Sequence, residues 1–205
     1  MNNIYIDEYL HNFERVLSTG HLFSYSHSSI ERMISYSSYF QCIEKDTFGY
    51  APIINSASLI KEVFPDITVD LVGVPIYNQC LWAADAYLRI QEATGLTFEC
   101  IFLYLPINKM YEYFPLYHEM DFSQIIAEFN RLFIADSCLS IAIKRYRISL
   151  QEVSKRTGIS YNTLYSLKKR RRDINKLNVK DALKIASVLQ IRIETLIEYC
   201  YLENE

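Results

Sequence analysis

Residues 150–172, LQEVSKRTGISYNTLYSLKKRRR, constrain the fold more tightly than any other stretch of the chain. Ser149 and Glu152 stand at the S-x-x-E spacing of a capping box, which predicts a helix start. Val153 supplies an inward apolar position, and Ser154 a small one where two helices must cross closely. Gly158 falls where the chain has to turn sharply, a place that favours a residue without Cβ. Ile159 plugs the corner, Ser160 caps a second helix, and Leu164 and Leu167 are its i, i+3 anchors. The window reads as two short helices joined by a tight turn, the second running into five consecutive cations, Lys168–Arg172.

A helix-turn-helix of this kind presents its second helix to a DNA major groove. The charge distribution points the same way. Residues 144–184 hold 13 Lys or Arg against 3 Asp or Glu, whereas residues 1–143 hold 7 against 17. The net charge of −3 therefore hides a basic block with the footprint of polyphosphate binding and an acidic remainder unsuited to DNA. Two functions are expected, in two units: residues 1–134, and a DNA-binding domain over 135–205.

Several classes are excluded by what the chain lacks. Only five Gly and five Pro argue against a turn-dense β protein, and no apolar run approaches the length of a membrane span. The N-terminal MNNIYIDEYLHNF is acidic and amphipathic, unlike a signal peptide. Cys42, Cys80, Cys100, Cys138 and Cys200 are dispersed, as expected of reduced thiols in a cytoplasm, and they form no zinc spacing. No P-loop, G-x-S-x-G or H-E-x-x-H motif occurs, and no cofactor or metal is expected. His118, Glu119 and Asp121 cluster, but a turn between helices with Asp121 as N-cap explains them without chemistry. The protein is not expected to be an enzyme.

The first 134 residues read as helical. Residues 4–18 carry Ile6, Tyr9, Leu10, Phe13, Val16 and Leu17 at helical spacing, with an end predicted before Gly20. Ser18 to Ser29 reads as a loop whose last residues, with Glu31, offer another capping box before Ile30, Met33 and Ile34. A short helix is expected over Ser56–Phe64, and an isolated strand or extended connection over Ile67–Val74. Pro75 is predicted to open the longest helix, closed by Gly95. Helices through Phe98–Leu105, Met110–Tyr117 and Phe122–Phe133 follow. All 11 Phe, Trp82 and 12 of the 17 Tyr precede residue 144, so the Phe residues are expected in the core and a Tyr-rich surface as a partner face.

An internal echo stands out. Thr94-Gly95-Leu96-Thr97-Phe98-Glu99-Cys100-Ile101-Phe102 parallels Thr157-Gly158-Ile159-Ser160-Tyr161-Asn162-Thr163-Leu164-Tyr165, with Ile90 placed like Val153. It is either a second helix-turn-helix-like unit or an ordinary helical corner. Asp85, Glu92 and Glu99 give it the wrong sign for DNA, which leaves structural use or dimerisation.

Around the central motif, helix one is predicted over about 136–146, burying Leu139 and Ile143. A fourth helix capped by Asn178 is expected to direct Val179, Leu183, Ile185, Ala186 and Leu189 inward, and Ile193, Leu196 and Ile197 mark a fifth. The run from about Ile141 to Ile197 resembles the Cro/C1 (XRE) family of phage-repressor-type regulators. Arg145, LQEVSKRTGIS and LNVKDALKIASVLQIRIETLI carry the likeness, over the C-terminal third only. The fold class expected is all-α: a five-helix phage-repressor-like domain preceded by an acidic, aromatic-rich helical domain.

The resemblance implies that Gln151 touches phosphate and braces the second helix. Ser160, Tyr161, Asn162 and Thr163 would sit at the DNA, with Tyr165 and Ser166 one turn on. Asn162 is the best base reader, because its amide can bond adenine N6 and N7 together. The chain departs from the family where most members carry Glu and then Gly after the recognition helix. Here Lys168, Lys169 and Arg170 are followed by Arg171 and Arg172, predicting a longer helix or a different exit turn and added phosphate contacts. The expected function is a cytoplasmic, sequence-specific DNA-binding regulator, a repressor, acting as a homodimer. Its N-terminal domain would dimerise or bind a partner or small ligand. The alternative is an antitoxin-like neutralising protein that captures a basic protein through the acidic domain and autoregulates its operon.

Overall fold

The computed structural model describes residues 3–45, 55–67 and 77–198. Among these residues the chain forms thirteen α-helices and no strand. The first eight are α1 (Asn3–Leu22), α2 (His27–Tyr36), α3 (Ser38–Glu44), α4 (Ser56–Val63), α5 (Asn78–Thr94), α6 (Phe98–Tyr104), α7 (Ile107–Tyr117) and α8 (Ser123–Ala135). Then come α9 (Cys138–Arg145), α10 (Leu150–Thr157), α11 (Tyr161–Lys168), a 3₁₀ turn (Ile174–Lys176), α12 (Val179–Leu189) and α13 (Ile193–Leu196). Residues 68–74 of the expected extended segment and Cys200 lie outside the described residues, whereas α5 opens at Asn78 behind an extended Tyr77 and not at the expected Pro75.

The N-terminal helices pack around rings rather than around a sheet. Phe13 of α1 meets Phe40, Tyr87 and Phe98 at centroid distances of 4.8, 6.0 and 5.4 Å, and α1 lies along α4 and α5. Such edge-to-face sets bury large apolar area in defined geometry. Contrary to the expected Tyr-rich surface, Tyr25, Tyr77, Tyr111, Tyr113 and Tyr117 pack half-buried against this core. Tyr9, Tyr39, Tyr87 and Tyr104 are buried, and of the described tyrosines before residue 144 only Tyr36 is largely exposed.

Four other expectations are corrected here. Helix α1 does not stop before Gly20 but runs on to Leu22. Gly20 is there for close packing: a Cβ would lie 2.5 Å from Ile30 Cδ1. Helix α1, at 20 residues, is therefore longer than α5, at 17. The cap of α2 is Ser26, which accepts the Ser29 N–H at 3.2 Å, and Glu31 takes no part in it. Helix α7 begins directly after Pro106 and continues through Pro115. Proline cannot donate to the carbonyl four residues back, and the freed Tyr111 carbonyl instead accepts the Gln79 side-chain amide at 2.9 Å.

The internal echo is reproduced bond for bond at the two corners. Thr94 Oγ1 donates to Ile90 O at 2.7 Å and accepts Leu96 N–H at 3.3 Å; Thr157 does the same with Val153 and Ile159 at 2.7 and 3.2 Å. Gly95 and Gly158 both take left-handed φ, 64° and 73°. Thr97 and Ser160 then cap the following helices. The outcomes differ completely, because α6 is buried from end to end.

Helix α6 is the element against which the C-terminal helices rest, touching α9 and α13 on one side and α2 on another. Carboxylates from the first half accept helix-start N–H groups and arginines along this seam. Glu31 accepts Ile107 N–H at 2.7 Å and pairs with Arg145, which also donates to the Phe102 carbonyl. Glu44 accepts Phe98 N–H and the Arg192 guanidinium, each at 2.7 Å. Glu99 accepts Arg192 N–H at 2.8 Å, and the Thr97 and Thr195 hydroxyls meet at 3.0 Å. Burial pushes all three carboxyls above their ordinary range, against the downward pull of the arginines and N–H donors.

In the C-terminal helices, α12 packs on α10 through Ala182, Ile185, Ala186 and Leu189. Val179 and Leu183, expected inward, are 69% and 51% exposed. They flank the apolar stripe, and the four residues at i, i+3, i+4 and i+7 already fill the available contact.

Candidate nucleic-acid interface

Local chemistry builds the α10–turn–α11 unit almost as the residues dictate. Ser149 Oγ accepts Glu152 N–H at 3.0 Å, half of the expected capping box. The other half is missing because the Glu152 carboxylate turns to Arg156 at 2.7 Å, which holds its pKa down. Ser154 Oγ donates to the Ile159 carbonyl at 2.6 Å, so its small side chain locks the corner as well as permitting the crossing. Ser160 accepts Thr163 N–H at 3.2 Å. Leu164 and Leu167 are buried, as their spacing requires.

The opposite face of α11 is open. Tyr161 and Tyr165 are 43% and 37% exposed, with rings 17° apart at 6.2 Å. Asn162 lies exposed between them in sequence, while Thr163 and Ser166 are half-buried. Gln151 is exposed at the start of α10, and Ser160 is exposed at the turn. Lys169, Arg171 and Arg172 are exposed and Lys168 is half-buried; none has a carboxylate partner among the described residues. Arg171 lies over the Tyr165 ring at 5.8 Å. One further cation escaped the sequence reading. Arg147 is exposed at a left-handed turn (φ 53°) just before Ser149, and only its position before the cap could have flagged it.

Of the two expected outcomes, a longer helix or a different exit turn, the structure shows the exit turn. Helix α11 ends at Lys168, and Arg170 takes the left-handed conformation (φ 51°) that a glycine would otherwise supply. Its side chain points back into the protein, to Glu198 at 2.9 Å and over the Phe133 ring at 5.3 Å. Arg170 is thus separated from the other four cations of the run.

Tools for chemistry are sparse. No group of three His, Cys, Asp or Glu among the described residues is placed to hold a metal. Cys80, Cys100 and Cys138 are buried free thiols, their pKa raised chiefly by burial. Asp121 accepts Ser123 N–H at 2.8 Å, a turn-capping role. No described helix is long and apolar enough to cross a membrane.

Residues 139–200 match the family of Cro/C1-type HTH DNA-binding domains, and the residues before them match no family. No curated protein and no solved structure matches the chain. The C-terminal third is therefore a Cro/C1-type helix-turn-helix domain within an all-α protein.

Proposed function

We propose that the chain is a sequence-specific transcriptional regulator that represses by occupying an operator as a homodimer. Residues 135–205 read DNA, and residues 1–134 supply the dimer contact and the switch. The carrying observation is the open face of α11, where Tyr161, Asn162 and Tyr165 stand exposed beside Lys168, Lys169, Arg171 and Arg172, which have no carboxylate partner among the described residues. Asn162 reads a base edge, and Tyr161, Thr163, Tyr165 and Ser166 shape the contact. Gln151, Ser160, Lys168, Lys169, Arg171 and Arg172 hold phosphate. Two copies read half-sites about one helical turn apart. A cavity of about 230 Å³ at the seam, lined by Arg32, Phe102, Arg145 and Tyr146 among others, supports control by a small ligand.

The test is quantitative binding of the purified chain to its own upstream DNA against scrambled DNA. Specific binding is expected, and Asn162→Ala should lose ~1–3 kcal/mol of discrimination. Equal affinity for both DNAs refutes the reading.

A second reading rests on the 17 acids against 7 cations in residues 1–143. An acidic balance of this kind, even with Glu31, Glu44 and Glu99 buried in the seam, suits capture of a basic protein, with the DNA-binding unit autoregulating the operon. Native co-purification with a small basic protein favours it; a homodimer free of other proteins counts against it.

A further inference from the structure

We propose that Glu198 is a positioning residue that fixes the exit of the recognition helix to the N-terminal half, with Arg170 as its lever. This inference rests on the DNA-reading function of α11. A single carboxylate gathers groups from three parts of the chain. Glu198 Oε1 accepts Cys138 N–H at 2.7 Å, which starts α9, and lies 3.1 Å from the Tyr104 hydroxyl at the end of α6. That hydroxyl shares its hydrogen with the Asp136 carbonyl at 2.9 Å. Both Glu198 oxygens then accept Arg170 Nη2, at 2.9 and 3.0 Å.

The backbone at both ends of this clamp is one that neither residue adopts without support. Arg170 and Glu198 both have left-handed φ, 51° and 53°. Such conformations persist where surrounding contacts over-determine them. Around Arg170 those contacts are the carboxylate, the Phe133 ring and the bond from its own N–H to Leu167 O at 2.9 Å. A second tie runs in parallel, from the Ser137 hydroxyl to the Lys168 carbonyl at 2.8 Å.

Packing alone does not hold the exit. A cavity of about 250 Å³ opens beneath it, lined by Cys138, Leu167, Arg170, Arg172, Ile174 and Glu198 among others. A helix end bordered by open space on one side depends on its polar anchors for its direction. The anchor here leads through Tyr104 to α6, the buried helix on which the rest of the seam converges. Displacement of α6 relative to α9 therefore reaches α11 through Glu198. Arg170, at the centre of a run of five cations, serves this link and not a phosphate.

The experiment uses the full chain, comparing wild type with Glu198→Gln, Arg170→Ala, the double variant and Tyr104→Phe. Hydrogen exchange is read at the amides of Lys169–Arg172, and DNA binding across a salt series on the chain's own upstream DNA. We expect faster exchange of those amides in all four variants, with α10 and α12 amides unchanged. Specific binding should weaken on the order of tenfold for Glu198→Gln and for Arg170→Ala, and no further in the double variant. The salt slope should equal that of wild type. A slope lowered by about one unit in Arg170→Ala, with Glu198→Gln binding as wild type, would make Arg170 a phosphate contact and overturn the proposal. Unaltered exchange in Glu198→Gln and Tyr104→Phe overturns it whatever the DNA result. If wild type binds no DNA specifically but the exchange changes as expected, the operator reading fails and the clamp stands.

Discussion

Replacing Glu44 by alanine takes the carboxylate from two donors, leaving Arg192 with the Ser35 carbonyl at 3.3 Å and Glu194 at 3.9 Å, and the Phe98 N–H without its acceptor. The carboxylate is fully buried and holds the guanidinium of Arg192, itself only 10% exposed, together with the Phe98 N–H at the start of α6. Removing one partner of a buried ion pair costs about 3–5 kcal/mol, because the other charge stays buried. A buried N–H without acceptor adds ~1–3 kcal/mol. The two share one side chain and do not add in full, so a loss of about 4 kcal/mol is expected, a large share of the ~5–15 kcal/mol typical of a folded chain. Arg192→Ala should behave differently with pH. The stranded group is then Glu44, whose carboxyl burial already pushes upward and whose opposing guanidinium is gone. It protonates as pH falls from 7 toward the ordinary 4.5, and earlier than in wild type, so the loss shrinks over that interval. In Glu44→Ala the guanidinium does not titrate, but wild type keeps a Glu44 carboxyl raised by folding, so this loss grows as pH falls. Urea unfolding of both variants at the two ends of the interval separates the cases. A Glu44→Ala loss below ~1 kcal/mol, or an Arg192→Ala loss that grows toward acid, would show that the pair is solvated and the seam is not held this way.

Three further predictions concern the backbone, packing and pH. Gly158→Ala meets no atom within 4 Å but must adopt φ +73°, so it should cost ~1–2 kcal/mol that no neighbouring substitution recovers. Gly20→Ala has helical backbone and drives a Cβ against Ile30, so overpacking of ~1–3 kcal/mol opposes a helix-propensity gain of about 1. Ile30→Val should restore part of it, and equal melting curves with and without Ile30→Val would refute the packing argument. Glu31, Glu44 and Glu99 all have pKa values raised above the ordinary 4.5, by burial first. Their contribution is present below that value and is lost as pH rises through the raised values. His27, lowered by burial, acts in the opposite sense between its ordinary 6.5 and more acid pH, one group against three. Glu152 and Asp181 are held below their ordinary values, so their contribution is lost only at lower pH. The melting temperature should therefore fall as pH rises from the ordinary 4.5 through the raised values; a rise over that interval contradicts the assignment.

What could be read from residues alone was local. The α10–turn–α11 unit is specified by neighbours within five residues, so Ser149, Gly158, Ile159 and Ser160 act where their types place them. The echo around Gly95 was legible for the same reason, and the structure adds the matching Thr94 hydrogen bonds. What escaped depends on distant partners. Glu31 has the spacing of a cap but answers Arg145, which lies 114 residues away. Gly20 has the look of a helix stop, yet its role is set by Ile30 across a helix pair. Arg170 was indistinguishable from its neighbours in a run of like charges, and only Glu198 and Phe133 set it apart. Val179 and Leu183 fit the helical period, but period alone does not say how wide a stripe the neighbouring helix covers.

The most direct test of the DNA-reading face is the salt dependence of binding to the chain's own upstream DNA. Wild type is compared with a variant in which Lys168, Lys169, Arg171 and Arg172 are replaced by glutamine. Each phosphate contact contributes about 0.9 to the slope of log Kobs against log salt. Loss of the cluster should therefore flatten the slope by roughly 2–4 units and weaken specific and scrambled DNA alike. Parallel slopes for the two proteins would mean that these cations do not meet phosphate, and that α11 does not enter DNA by the face described.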